Sequence, residues 1–339
     1  MRTLKFVKYL LAASIVGLSG VPASVVAQES KDVTFVVANP SAINIIPVAV
    51  AMGEGYFAEQ GLNVNVEALN GSGAVLQALT AGQGQIGNPA AGPFLGARAR
   101  GIDITFIYRL NPNSSLSMVV KEEAATQKPE ELKGKVIGIG TADGAEASFA
   151  RSIFGDLGME EGKDYSFLVV GDGGLATAGF MRGDIDAYVA ATSDAAILNS
   201  RGLKLRNITP ERFRVFFGNG FAAMADYIEK NPDVIEGFGK AVVKGAHFAA
   251  DPANIDKVID HAATVNPQEG EDRAFSKALI EQIVVRQTPF DTAKGYGYQD
   301  LEAWQAWQES LVSSGEMKEP LPDLNAIYTN RFVEAWNSK

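Results

Sequence analysis

The strongest constraint on this 339-residue chain is that one α/β pattern occurs in it twice, nearly in register. Residues 33–38 (VTFVVA) are a continuous apolar run, the mark of a strand covered on both faces. Pro47 opens an apolar helix that stops at Gly53-Glu54-Gly55, and residues 64–69 alternate as a second strand. Gly71-Ser72-Gly73 leads into a helix carrying Val75, Leu76 and Leu79 and closed by Gly82, and residues 85–88 begin a third strand. The order then returns. Residues 135–140 (KVIGIG) form a strand, Phe149 and Ile153 stripe a helix, and residues 166–170 form a strand. A Gly-rich turn, a helix to Gly183 and a strand at 186–190 follow. Gly174, Gly183 and Asp186 each fall 101 positions after Gly73, Gly82 and Gln85, and Gly140 falls 102 after Ala38. Strand–helix–strand–helix–strand predicts a parallel sheet. The chain is therefore expected to be α/β, with two similar lobes, each a parallel-rich sheet flanked by helices.

The lobes must be joined somewhere between the repeats. Residues 104–109 and 114–120 read as extended runs around Asn111-Pro112-Asn113, and the return crossing is expected at 215–225. Beyond it the pattern is helical, at 234–248, 254–263, 275–285 and 301–311. Two crossings make a two-strand hinge about which lobes can rock. The expected division is a leader over 1–27, a first lobe over 31–112 and a second over 113–217. Residues 218–339 then return to the first lobe as the C-terminal helices.

The leader follows from the N-terminus. Arg2, Lys5 and Lys8 precede an apolar run too short to span a bilayer comfortably, and small residues allow cleavage after Ala23 or Ala27. Its removal takes away three cations and no anion, moving the net charge from −10 to −13. That balance disfavours nucleic acid and anionic membranes as partners. There is no Cys and only two His, His247 and His261. Disulfides, thiolate nucleophiles, Cys-ligated metals and multi-His centres are thereby excluded, and no cofactor is expected. Without Cys no lipid is attached at the N-terminus, so the exported chain is expected to be a monomer free in a periplasm.

In open parallel sheets ligands gather outside the carboxyl ends of the strands. The candidate binding residues are therefore Asn39, Pro40, Ser41, Ser72, Gly73, Asn88 and Pro89 in the first lobe, with Thr141, Ala142, Asp143, Thr192 and Ser193 in the second. Hydroxyls, amides and helix-start N–H groups suit a polar or anionic small molecule. Alternatively, Ser72, Thr141 and Asp143 only cap helices, and the spacing from Asp143 to Glu146 is that of a capping box. Enzyme motifs are lacking: Gly138-Ile139-Gly140 lacks the third glycine of a dinucleotide fingerprint, and there is no GxxxxGK[ST], HExxH or GxSxG. Trp304 and Trp307 share helical spacing with Leu301 and Leu311 and read as core.

Residues 51–64 (AMGEGYFAEQGLNV) resemble the A-x-E-x-G-Y-F-x-E-x-G-L-x-V segment of substrate-binding proteins of ABC transporters. The subgroup resembled serves sulfonates, taurine, nitrate and the pyrimidine precursor of thiamine. Residues 76–87 (LQALTAGQGQIG) are similar to its L-x-A-L-x-x-G-x-x-D-I-G, with Gln85 where an acid is usual. Residues 129–138 (PEELKGKVIG) resemble its P-x-D-L-K-G-K-x-I-G. The resemblance implies a type II periplasmic binding protein-like fold that closes on a solute and delivers it to the transmembrane subunits of an ABC permease. Some relatives are pyrimidine-synthesising enzymes that use Cys and His clusters. This chain lacks those Cys.

A small organic anion, sulfonate or carboxylate, is the expected ligand. Arg109 ends an apolar run at the lobe junction, and the candidate loops offer no other cation. Its guanidinium suits an oxyanion through paired hydrogen bonds. The alternative for Arg109 is an ion pair across the hinge.

Overall fold

The computed structural model describes residues 30–338 apart from 113, 172, 215 and 290. The expected leader, and the parts of the crossing and turn expectations that fall on Asn113, Asp172 and Val215, lie outside the described residues.

The repeat folds into two five-stranded mixed sheets flanked by helices. The first lobe begins with β1 (Lys31–Val37), β2 (Leu62–Ala68), β3 (Ile86–Asn88) and β4 (Ile104–Tyr108). The second holds β5 (Leu116–Lys121), β6 (Lys135–Ile139), β7 (Tyr165–Val169), β8 (Ala187–Ala191) and β9 (Leu205–Asn207). The chain then returns to the first sheet as β10 (Phe221–Met224). Strand orders are β2-β1-β3-β10-β4 and β7-β6-β8-β5-β9. In each lobe four strands run in one direction, and the fourth position in the sheet is taken by a strand that runs antiparallel to them, next to a crossing.

The repeat extends to single hydrogen bonds. Gln85 Oε1 accepts from Thr34 N at 2.7 Å, and Asp186 Oδ2 accepts from Val136 N at 2.9 Å. Gln85 precedes β3 and holds β1, and Asp186 precedes β8 and holds β6. At equivalent places an amide in one lobe and a carboxylate in the other make the same bond.

Helices cover the sheets as the apolar stripes require. In the first lobe these are α1 (Ile46–Gly53), α2 (Gly71–Thr80) and α3 (Ala91–Ala99). In the second they are α4 (Ala145–Asp156), α5 (Gly174–Arg182) and α6 (Thr192–Ser200). The C-terminal third adds α7 (Pro232–Ala250), α8 (Ile255–Val265), α9 (Arg273–Gln287) and α10 (Leu301–Ser313). The stripe Val234, Phe238, Val242 and Gly245 seats α7 on α1 and β2.

One expectation needs correction. The N-cap of α4 is Gly144, which makes no side-chain cap bond, so Asp143 does not close a capping box. The lobes are joined by two crossings, as expected. Asn111 N donates to Asn219 O at 3.1 Å and Gly218 N to Asn111 O at 3.0 Å, pairing the two crossings. One apolar cluster, however, runs through both lobes, from Phe94 and Phe106 through Trp304 and Trp307 to Phe149 and Phe154. Helix α10 makes this block by packing on both α3 and α4. The three Trp are buried, and Trp307 Nε1 donates to Phe217 O beside the return crossing.

Candidate functional site

The carboxyl ends of β1, β2, β3, β6 and β8 and the turns after them converge on one cavity of about 60 Å³ between the lobes. Asn39, Ser72 and Asn88 reach it from the first lobe, and Thr141, Glu146 and Thr192 from the second. Asn111 and Asn219 form its floor, so the paired crossings are part of the site. Packing holds most of these groups in place. Ser72 Oγ accepts from Ala90 N at 3.1 Å, and Asn88 Nδ2 donates to Gly220 O at 3.1 Å. Asn39 Oδ1 accepts from Ser41 N at 3.1 Å.

The remaining wall comes from α9, which supplies Ile283 and Arg286. The side chain of Arg286 is enclosed, and its Nε and Nη2 have no hydrogen-bond partner. Burial pushes its pKa down to about 10, so the guanidinium stays charged at neutral pH. An unpaired buried charge costs several kcal/mol. Thr141 Oγ1 and Asn111 Oδ1, on the same cavity, are likewise buried without partners. A cation and two oxygens left unsatisfied around one small space are what a polar guest would complete.

A larger chamber of about 470 Å³ adjoins it and shares Asn39, Asn44, Glu146 and Ala191 with it. Its walls mix Ile43, Ile197, Phe275 and Leu279 with Asp194, Glu269 and Asp272. Glu269 accepts from Ser41 Oγ at 2.6 Å and Ile43 N at 3.0 Å. Burial pushes its carboxyl above the ordinary range, and these hydrogen bonds pull it partly back.

Of the sequence candidates, Asn39, Ser72, Asn88, Thr141 and Thr192 line the inner cavity, and Pro40, Ser41 and Ser193 line the outer chamber. Pro89 and Ala142 line neither; the Pro89 carbonyl accepts from Gly220 N instead. Gly73 and Asp143 meet at the contact between the lobes and border a separate groove behind it. Arg109 also lines neither cavity. Its Nη1 donates to Asp300 Oδ2 at 2.7 Å, its Nη2 reaches Pro112 O, and its guanidinium lies over the Phe217 ring. Those partners absorb its charge and hold it away from the cleft cavities.

Sequence reasoning missed Asn44, Asn111, Glu146, Asn219 and Arg286. For Arg286 a signal existed: Leu279, Ile283 and Arg286 stand at helical spacing, so a cation occupies the buried stripe of α9. Both His lie elsewhere. His261 Nε2 is 2.7 Å from Glu54 Oε1, and His247 packs edge-on against Tyr296.

The NMT1/THI5 like family model matches residues 42–255. Riboflavin-binding protein RibY of Chloroflexus aurantiacus is 24% identical over 304 residues, 86% of this chain and 83% of that one. The taurine-binding periplasmic protein of Escherichia coli is 26% identical over 200 residues, 58% of this chain and 61% of that one. The 4-amino-5-hydroxymethyl-2-methylpyrimidine phosphate synthase THI11 of Saccharomyces cerevisiae is 23% identical over 224 residues, covering 61% and 64%. The chain thus spans less than two thirds of the length of the last two. Among solved structures, a Bordetella bronchiseptica RB50 protein superposes with TM-score 0.74 at 20% identity, covering 91% of this chain and 98% of that one. The alkanesulfonate-binding protein SsuA of Xanthomonas axonopodis pv. citri, bound to MOPS, gives 0.68 at 16% identity, covering 89% and 99%. These two likenesses establish the shared fold.

Proposed function

This chain belongs to the NMT1/THI5 like family, and from that premise we propose that it is the periplasmic solute-binding component of an ABC importer. Its two lobes close on a small organic anion, a sulfonate or carboxylate, and deliver it to permease subunits. The observation that carries the anion is Arg286 on an interlobe cavity, whose guanidinium Nε and Nη2 are buried without a hydrogen-bond partner. The Thr141 hydroxyl stands at the same space and can donate a hydrogen bond to an oxyanion, while Asn111 Oδ1 there can accept one from a donor on the ligand.

The proposed binding role, as opposed to synthesis, has its own support. The chain has no Cys, and neither His lines either cavity. No helix among the described residues is long and apolar enough to cross a membrane.

A thermal-shift screen over sulfonates, carboxylates, nitrate, pyrimidines, taurine and riboflavin tests the reading, because a ligand bound only by the folded state raises the melting temperature. An anion should stabilise the protein and be recovered chemically unchanged. Stabilisation by neutral ligands alone would overturn the anion, and recovery of an altered molecule would overturn the binding role.

A further inference from the structure

Each sheet ends in two edge strands, and an edge presents unpaired N–H and C=O groups. Three of the four edges are blunted. Segment 327–329 covers β4, with Phe106 N donating to Ile327 O at 2.9 Å and Thr329 N to Phe106 O at 3.0 Å. Strand β9 is three residues long and carries Arg206, and β2 exposes Asn63, Asn65 and Glu67. The edge of β7 has no such protection. Beyond Tyr165, whose carbonyl accepts from Gly162 N at 2.7 Å, the strand reads Ser166-Phe167-Leu168-Val169. Among the described residues this stretch pairs with β6 alone.

Exposed apolar surface collects at the same place. Of the five large apolar side chains exposed among the described residues, Leu168 and Val169 lie on β7 and Leu175 and Met181 on α5, while Val285 lies elsewhere. Leu168 and Val169 point to opposite faces, so this surface wraps round the edge. Leu175 continues it, since a β-carbon on Gly171, just after the strand, would come within 2.8 Å of Leu175 Cδ1. The described charges nearby cancel. Glu161 pairs with Arg151 at 2.8 Å, Asp164 with Lys133 at 3.0 Å and Asp184 with Arg182 at 2.6 Å. These pairs leave a nearly neutral face on a chain whose formal charge is −10.

The occupant that fits is a strand edge that is itself free, uncharged and apolar, which a second copy of the chain supplies. Two acid-rich molecules repel over most of their surfaces, and a neutral face is where they can meet. We propose that the protein forms a two-fold dimer by antiparallel pairing of β7 with β7. The pairing closes the free edges of both copies, joins two five-stranded sheets into one, and covers Leu168, Val169 and Leu175. It replaces the monomer expected from the sequence. A contact of this size lies at the weak end of specific interfaces, so the dimer is reversible.

Sedimentation velocity over about 1–500 µM protein tests this, and the sedimentation coefficient should rise with concentration towards that of a dimer. Leu168→Lys combined with Val169→Lys sets like charges across the two-fold axis at exposed positions. It should weaken association about tenfold or more and leave the melting temperature unchanged. A second test uses the absence of Cys from the chain. Val169→Cys treated with a short bis-maleimide should give cross-linked dimer, whereas Val285→Cys, exposed on α9, should not. A monomer at every concentration would leave the edge to a strand of another protein and overturns the dimer. A dimer that survives the two lysines, or equal cross-linking at both cysteines, places the contact away from β7 and overturns it too.

Discussion

The Asp143 carboxylate of the second lobe lies so close to Gly73, in the first turn of α2 in the first lobe, that a β-carbon on Gly73 would overlap it. In the same turn a β-carbon on Gly71 would come within 2.9 Å of Thr141 Oγ1. The lobes thus touch along this edge of the cleft, and the positive end of α2 faces an acid from across it.

Gly73→Ala should act as a wedge. Its backbone conformation tolerates alanine, which favours a helix by up to about 1 kcal/mol, so the effect is on lobe separation and not on folding. Small-angle scattering should give a larger radius of gyration for the variant, and Gly73→Ala with Asp143→Ala should return it to the wild-type value. A radius unchanged in the single variant means that this contact does not limit closure.

Arg286→Met should separate stability from binding. Removing an unpaired buried charge for an apolar side chain of similar length should stabilise the protein by about 1–3 kcal/mol, a few degrees in melting temperature. Anion binding should be lost in the same variant. A destabilised Arg286→Met would show that the guanidinium is satisfied within the fold and is not held for a ligand.

Arg109→Met should behave in the opposite way. It breaks the 2.7 Å pair with Asp300 and the contact over Phe217, costing about 1–2 kcal/mol. Anion affinity should stay at the wild-type value, measured by calorimetry. A tenfold loss of affinity in a folded variant would return Arg109 to the site.

These two arginines mark where the sequence was legible and where it was not. The fold was legible because glycines and apolar runs recur at an offset of 101, and the hydrogen bonds of Gln85 and Asp186 preserve that offset in space. Strand-end loops were legible by the same rule, and eight of the candidate residues line the cleft. Arg109 sits in sequence where a cleft residue belongs, but Asp300, 191 positions away, captures it. Nothing local in the sequence reports that partner. Arg286 escaped because the helical reading over 275–285 stopped one residue short, and because α9 comes from a region outside the repeat. Asn111 and Asn219 escaped because the crossings were read as connections, whereas their pairing forms the cavity floor.

Glu316 gives the pH dependence. It follows α10, where that helix packs on α4, and its Oε1 is buried without a partner. Burial pushes its carboxyl up to about 7 from an ordinary 4.5, although Arg151 and a hydrogen bond from Ser148 favour the charged form. Glu161 adds a smaller push upward. The folded state therefore holds a proton that the unfolded chain has released between about pH 4.5 and 7. A group with a raised carboxyl pKa contributes stability that is full below the unfolded value and is lost as pH rises through the folded one. Wild-type stability from this group should fall across that window by on the order of 1–3 kcal/mol. Glu316→Gln keeps the shape without the charge, so its stability should be nearly flat there and should exceed wild type at pH 8. Urea unfolding at pH 5 and pH 8 checks this. A difference between the two proteins that does not change with pH would mean that Glu316 is charged in the folded state throughout, with Arg151 outweighing the burial.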